Sequence, residues 1–248
     1  MPKPLISLLS LTDFNGNPLP ETVLHKTFEE LMAEHGYVSV SNAYNGFDPV
    51  AFCRRLGPFV PNYNGAIVSD VRPEPGMDDV YHAGNTQGLV PHTEGYDFTV
   101  LPPRYVALWC VTPCSGGGGE TTLADAHEFF GGLSEQETEM LRKRSFEWKA
   151  ADGLVRLGFD LHTSHPVLED TNQGLIVRFS CINMVHHDDS AALSLQERVA
   201  SFFAEHHVAM DYERGDMLIW DNWRTLHSRN PFTDRGRHLR RIQIATRA

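Results

Sequence analysis

The segment Val90-Pro91-His92-Thr93-Glu94-Gly95 places a histidine and a carboxylate two residues apart. In an extended chain, residues i and i+2 point the same way, so this spacing aims an imidazole nitrogen and a carboxylate oxygen at one point. Two protein groups do not hold a metal firmly, and a third ligand has to come from elsewhere. The best candidate is His227, in Asp221-Asn222-Trp223-Arg224-Thr225-Leu226-His227, close to the end of the chain. Two histidines and one carboxylate make a facial triad, which holds Fe(II) and leaves positions open for a cosubstrate and O2. That set constrains the fold strongly, because two distant segments must lie side by side. The pair by itself is a weak signal, since 13 histidines in 248 residues produce such spacings by chance.

The length fits one β-rich domain, and a single domain over residues 1–248 is expected. Hydrophobic residues make up 41% and charged residues 21%, enough for a sizeable core. The net charge of −11 argues against nucleic acid or an anionic membrane as partner, because both need a basic face. It permits an anionic small molecule held by a local arginine pocket. Cys53, Cys110, Cys114 and Cys181 show no paired spacing of a zinc site and read as reduced, mostly buried thiols. The opening run Leu5-Ile6-Ser7-Leu8-Leu9-Ser10-Leu11 is too short to span a membrane and has no small-residue cleavage site. A soluble cytoplasmic protein is the expectation.

Apolar residues at three- and four-residue spacing predict a helix over 20–35, stopped by Gly36. Asp48-Pro49 is an N-cap with proline at the first helical position, predicting a helix over 48–56. Capping boxes at Ser134-x-x-Glu137 and Ser194-x-x-Glu197 predict helices over 134–144 and 193–206. Strands are expected at 37–40, 66–71, 104–112, 145–149, 165–168, 175–179, 208–212, 216–220 and 239–246. Residues 61–88, rich in Gly, Pro, Asn and Asp, read as a long loop that could line or cover a site. Many short strands with peripheral helices predict a mainly β fold, a sandwich or jelly roll. Gly116 to Gly119 read as a flexible turn. They lack the lysine of a phosphate loop, and no Gly-x-Gly-x-x-Gly opens a helix, which disfavours nucleotide binding.

Several pieces occur in a fixed order: His92-x-Glu94, Gly118-Gly119-Glu120-Thr121, Arg214-Gly215-Asp216 before a strand, Asp221-Asn222, His227, and Arg237-x-x-x-Arg241. In this order the chain resembles the Fe(II)/2-oxoglutarate-dependent dioxygenases of the taurine dioxygenase and clavaminate synthase superfamily. The resemblance covers about residues 80 to 246. It implies a double-stranded β-helix, a jelly-roll variant. It implies His92, Glu94 and His227 as iron ligands, and Arg237 and Thr121 as the residues that hold the distal carboxylate of 2-oxoglutarate. The implied activity couples decarboxylation of 2-oxoglutarate to succinate with oxidation of a substrate C–H bond by O2. A glutamate in the triad looks more like the clavaminate synthase branch, whose members often act on amino-acid-like substrates. It also argues for hydroxylation or a related oxidation over halogenation, since related halogenases carry a small residue there.

The residues support these roles by their own chemistry. 2-Oxoglutarate chelates iron through its keto-acid end, and its far carboxylate then needs a cation, for which arginine offers a bidentate fork. Arg237, Leu239 and Arg241 share one face if this stretch is a strand, with Arg240 on the other. Arg241 is therefore a competing candidate for 2-oxoglutarate, with Arg237 at the rim. Tyr81 and His82 could reach a substrate pocket, and Arg178, amid apolar neighbours, could grip a substrate carboxylate. His162 and His165, His186 and His187, and His206 and His207 read as structural or polar-loop histidines. Trp220 and Trp223 read as core, and Asp125 as a structural partner of a nearby loop. Two other readings stay open: a cupin-like isomerase or hydrolase that uses the triad without 2-oxoglutarate, and a non-catalytic jelly-roll binding protein.

Overall fold

The computed structural model describes residues 7–13, 15–40, 47–186 and 188–247; Leu5, Ile6 and His187 of the readings above lie outside them. Two β-sheets carry the architecture. The larger runs in the order Leu8–Leu9, Tyr37–Val40, Met217–Asp221, Tyr105–Thr112, His238–Ile244, Phe59–Val60, with Ser69–Val71 also paired to His238–Ile244. The smaller runs Val208–Met210, Thr121–Asp125, Thr225–Arg229, Leu89–His92. All neighbours are antiparallel except the first pair of the larger sheet. This is the mainly β, jelly-roll-type arrangement with peripheral helices that the strand pattern predicts.

The period-two alternation of each strand decides what it buries. Val106, Leu108, Cys110, Leu218, Trp220 and Leu239 from the larger sheet meet Leu123 and Met210 from the smaller one in an apolar layer between them. The intervening residues Ala107, Trp109, Met217, Ile219, Ile242 and Ile244 face outward and are covered by Phe28 and Met32 of the helix Glu21–His35 and by Phe52 of the helix Pro49–Arg54. On the far side, Ala124 and Leu226 of the smaller sheet pack under Leu195, Val199 and Phe203 of the helix Ser190–His206, with Phe130, Leu141, Trp148 and Phe179. Each fully buried side chain of this size stabilises the fold by about 1.5–3 kcal/mol. Trp223 is buried and donates Nε1–H to Pro102 O at 3.0 Å, so its one polar atom is satisfied.

Most predicted elements form within a few residues of their expected ends, and the exceptions have physical causes. The predicted strand over 165–168 is the gap between two strands, His162–His165 and Leu168–Thr171, because Pro166 has no N–H for a ladder. The last long helix begins at Ser190, not Leu193. Asp189 caps it by accepting from Ala191 N and Ala192 N, which leaves Ser194 inside the helix. The Ser134 box forms in both directions. The predicted strand at 175–179 ends at Val177, where Arg178 leaves the ladder to bond Val167 O. Short helices at Ala126–Gly131 and Asp152–Arg156 were not signalled by periodicity, since one or two turns carry too few apolar repeats. Among the described residues no helix is long and apolar enough to cross a membrane.

Candidate metal centre

Strand register brings the distant segments together. Leu89–His92 pairs antiparallel with Thr225–Arg229, and His92 lies directly opposite His227. The two rings stand 4.1 Å apart between centroids. Glu94 follows two residues after His92, just past the strand end. One ligand atom from each of His92, Glu94 and His227 lies within 4.8 Å of the other two, the only such cluster among the described residues. His227 Nε2 is 3.9 Å from Glu94 Oε2. His92 Nδ1 bonds Val90 O at 2.8 Å, which places its proton there and leaves Nε2 as the free lone pair. Burial pushes both imidazoles below the ordinary histidine range, keeping them in the neutral, ligating form. Two neutral imidazoles and a carboxylate fit Fe(II) by donor type and count.

Glu94 is held from three directions. Its Oε2 accepts Arg241 Nη1 at 2.9 Å and its Oε1 accepts Gln243 Nε2 at 2.8 Å. Its backbone is clamped by Asn222: Glu94 N donates to Oδ1 at 2.6 Å, and Nδ2 donates to Glu94 O at 2.9 Å and Pro103 O at 3.0 Å. Asn222 is itself fixed by the turn that Asp221 closes, accepting Trp223 N and pairing with Arg104. Asn222→Ala would leave three buried backbone groups unpaired at about 1–3 kcal/mol each. We expect a loss of about 3–5 kcal/mol in urea unfolding and weaker Fe(II) binding; an unchanged unfolding midpoint would contradict the clamp.

Two chambers meet at this centre. The inner one is lined by His92, Glu94 and His227 together with Thr121, Arg229, Arg237, Leu239 and Arg241. Thr121 sits opposite Arg229 in the register of the smaller sheet, so both reach the same space. Arg237 is buried; its Nη2 donates to Gly119 O at 2.7 Å and its Nη1 has no partner. Gly119 is required for this: at φ +79° a Cβ there would lie 2.8 Å from Arg237 Nε. A Cβ on Gly118 would meet Pro231 O at 2.2 Å. Gly118 and Gly119 are thus closely packed against Pro231 and Arg237, whereas Gly116 and Gly117 have open space for a side chain, as in the turn expected from sequence.

Arg229 is a second buried cation in this chamber. It bonds Ala83 O at 2.7 Å and Asn85 Oδ1 at 3.0 Å, and both it and Arg237 lie about 5.0 Å from the Phe232 ring. Burial first, then the like charge of Arg237, pushes its pKa down to about 9. Neither arginine has a carboxylate partner among the described residues. Two adjacent buried cations without an anion are costly, and a bound dianion would relieve both.

The outer chamber shares Ala83, Leu89, His92, Glu94 and Arg241 with the inner one. Tyr63, Tyr81 and His82 from the long loop line it with Leu89, Ala151 and Leu154. The loop over 61–88 therefore does form a wall, as expected. Arg241 faces both chambers, while Arg240 points outward to Asp70. Arg237 precedes the strand His238–Ile244, yet shares its inward face with Leu239 and Arg241. Trp220 is core as expected, but also a chamber wall 4.8 Å from the His227 ring. Arg178 is not placed to grip a substrate. It pairs with Glu169 and donates to Phe98 O and Val100 O at 3.0 Å each, pinning that loop. Asp125 pairs with Arg224 and caps the helix after it. His165 stacks on Trp148 and bonds Tyr96 O; His206 and His207 bond the last carbonyls of their helix.

Comparison with known proteins agrees with this geometry. The family model "Taurine catabolism dioxygenase TauD, TfdA family" matches residues 10–243. Clavaminate synthase 2 of Streptomyces clavuligerus is 27% identical over 194 residues, covering 74% of this chain and 58% of that protein. L-Asparagine oxygenase of Streptomyces coelicolor is 28% identical over 179 residues, covering 72% of this chain and 53% of that protein. The chain thus spans little more than half the length of these relatives. A crystal structure of asparagine oxygenase with Fe(II), 2S,3S-3-hydroxyasparagine and succinate shares the fold, with a TM-score of 0.74 at 21% identity, over 94% of this chain and 81% of that one.

Proposed function

Because the chain belongs to the TauD/TfdA dioxygenase family, we propose that it is an Fe(II)- and 2-oxoglutarate-dependent oxygenase that hydroxylates a small polar metabolite related to an amino acid. The observation that carries this reading is the junction of His92, Glu94 and His227 with a chamber holding two cations that lack an anion. Fe(II) bound there supplies the redox chemistry that couples O2 and decarboxylation of 2-oxoglutarate to C–H oxidation.

The chain's own residues do the rest. His92, Glu94 and His227 would hold the metal. Arg237 takes the distal carboxylate of 2-oxoglutarate with its unpartnered Nη1, Thr121 supplies a hydroxyl beside it, and Arg229 adds a second positive charge. Arg241, the competing candidate, already contacts Glu94 and Asn62 and opens on the outer chamber, which suits the substrate side. Gln243 and Arg241 orient the Glu94 carboxylate. Tyr63, Tyr81 and Tyr96 line the space beside the metal ligands. Amino-acid oxidation is supported by the name of one relative, L-asparagine oxygenase, and by the hydroxyasparagine in the similar structure. The test is succinate release from 2-oxoglutarate by the purified protein. We expect it to require both Fe(II) and O2; a protein that binds iron but never consumes 2-oxoglutarate would contradict the reading.

A further inference from the structure

One side chain fastens the stretch 83–87 of the long loop to the inner chamber. Arg229 is buried at the end of the strand Thr225–Arg229, two residues past His227. Its Nη1 donates to Ala83 O at 2.7 Å, and its Nη2 donates to Asn85 Oδ1 at 3.0 Å and to Gln87 O. Its Nε is buried without a partner. The donors of this guanidinium therefore divide. Both terminal nitrogens go to the loop, and Nε–H remains for whatever fills the chamber that Arg229 and Arg237 line.

The loop passes this anchor on to the outer chamber. Asn85 is buried and lines neither chamber. Its Oδ1 accepts from Arg229 and from Gln87 N at 3.0 Å each, and its Nδ2 donates to Val80 O. Tyr81 and His82 follow directly, and both line the outer chamber. Tyr81 O accepts Gly153 N at 3.2 Å, and a Cβ on Gly153 would lie 2.4 Å from His82 Cβ, so these two residues are pressed against the helix Asp152–Arg156. Thr86 O accepts Phe232 N at 3.0 Å, and the Phe232 ring lies about 5.0 Å from both guanidinium groups. The loop acceptors favour Arg229 in this place, while the like charge of Arg237 opposes it. An anion between the two arginines offsets that repulsion. What then holds Arg229 also holds the loop.

We propose that Arg229 is a positioning residue: once 2-oxoglutarate binds in the inner chamber, its guanidinium holds the stretch 83–87, and through Asn85 the Tyr81 and His82 wall of the outer chamber, more firmly than before. The proposal rests on the oxygenase reading above and adds a route by which the cosubstrate side prepares the substrate side. Coupling of this kind is reciprocal. Loosening the wall at Asn85 must therefore weaken 2-oxoglutarate binding, although Asn85 reaches neither chamber.

The test is hydrogen exchange read by mass spectrometry over residues 78–90. It uses the whole protein loaded anaerobically with Fe(II), with and without saturating 2-oxoglutarate, whose binding is checked by the visible charge-transfer band. In the wild type we expect 2-oxoglutarate to slow exchange over 78–90 at least about tenfold, equivalent to 1.4 kcal/mol. Arg229→Lys keeps a charge in the chamber but offers no fork. At saturating 2-oxoglutarate it should still form the band, with the slowing over 78–90 reduced to less than about threefold. Asn85→Ala should lose the slowing in the same way, and its titration midpoint for 2-oxoglutarate should rise about fivefold or more. Exchange over the strand Tyr105–Thr112 in the same samples reports that each variant is folded. A wild-type band with unchanged exchange over 78–90 would overturn the proposal. So would full slowing in Arg229→Lys, or an Asn85→Ala titration identical to that of the wild type. Loss of the band in Arg229→Lys would make Arg229 a direct holder of 2-oxoglutarate and overturn the positioning role as well. Absence of the band in the wild type would instead overturn the oxygenase reading itself.

Discussion

His227→Ala is expected to abolish succinate release and to cut Fe(II) affinity by a hundredfold or more. Loss of an outer partner of a metal ligand alone costs about 10–100-fold, and His227 is one of three ligands in a site that has no spare donor among the described residues. The fold should survive, because the strand Thr225–Arg229 is held by its ladders to Thr121–Asp125 and Leu89–His92, not by the imidazole. Equilibrium dialysis against Fe(II) and a succinate assay read the two effects separately. Wild-type iron binding in the variant would remove His227 from the metal site.

Arg237→Ala should act on the other half of the site. It would leave the far carboxylate of 2-oxoglutarate buried beside Gly119 without its fork. Truncating one partner of a buried, hydrogen-bonded charge pair costs about 2–5 kcal/mol, or roughly 30-fold to several thousandfold in affinity. KM for 2-oxoglutarate is expected to rise by that factor while Fe(II) binding stays at the wild-type level. Arg241→Ala provides the contrast: it faces Glu94 and the outer chamber, so its main effect should fall on substrate affinity. If Arg241→Ala gave the larger loss of 2-oxoglutarate binding, the two arginines would exchange roles.

Much of this site was legible before the fold, because strands convert sequence spacing into direction. The i, i+2 relation placed His92 with Glu94, and the same rule put Leu239 and Arg241 on one face. Carried one step further it would have found Gln243, the next inward residue, and Arg229, two past His227; both escaped notice because no motif names them. The strands around these residues were missed for a related reason. Thr121–Asp125 and Thr225–Arg229 are half polar, since Thr121, His227 and Arg229 serve the chamber and not the core, so their apolar alternation is broken. Asn222 appeared only as part of a motif. Its clamp on Glu94 is a tertiary contact across the fold, invisible to local pattern. Gly118 and Gly119 misled for the opposite reason: glycine signals both freedom and close approach, and only the positions of Pro231 and Arg237 tell which. Arg178 was ambiguous until Glu169 and the carbonyls of Phe98 and Val100 showed where its charge is spent.

The central claim is that the three ligands and the arginine chamber form one site for iron and 2-oxoglutarate together. An anaerobic absorption titration of the Fe(II)-loaded protein with 2-oxoglutarate tests it most directly. The account predicts a visible metal-to-ligand charge-transfer band that appears only when both iron and 2-oxoglutarate are present. Iron demonstrably bound, with no band at saturating 2-oxoglutarate, would contradict it.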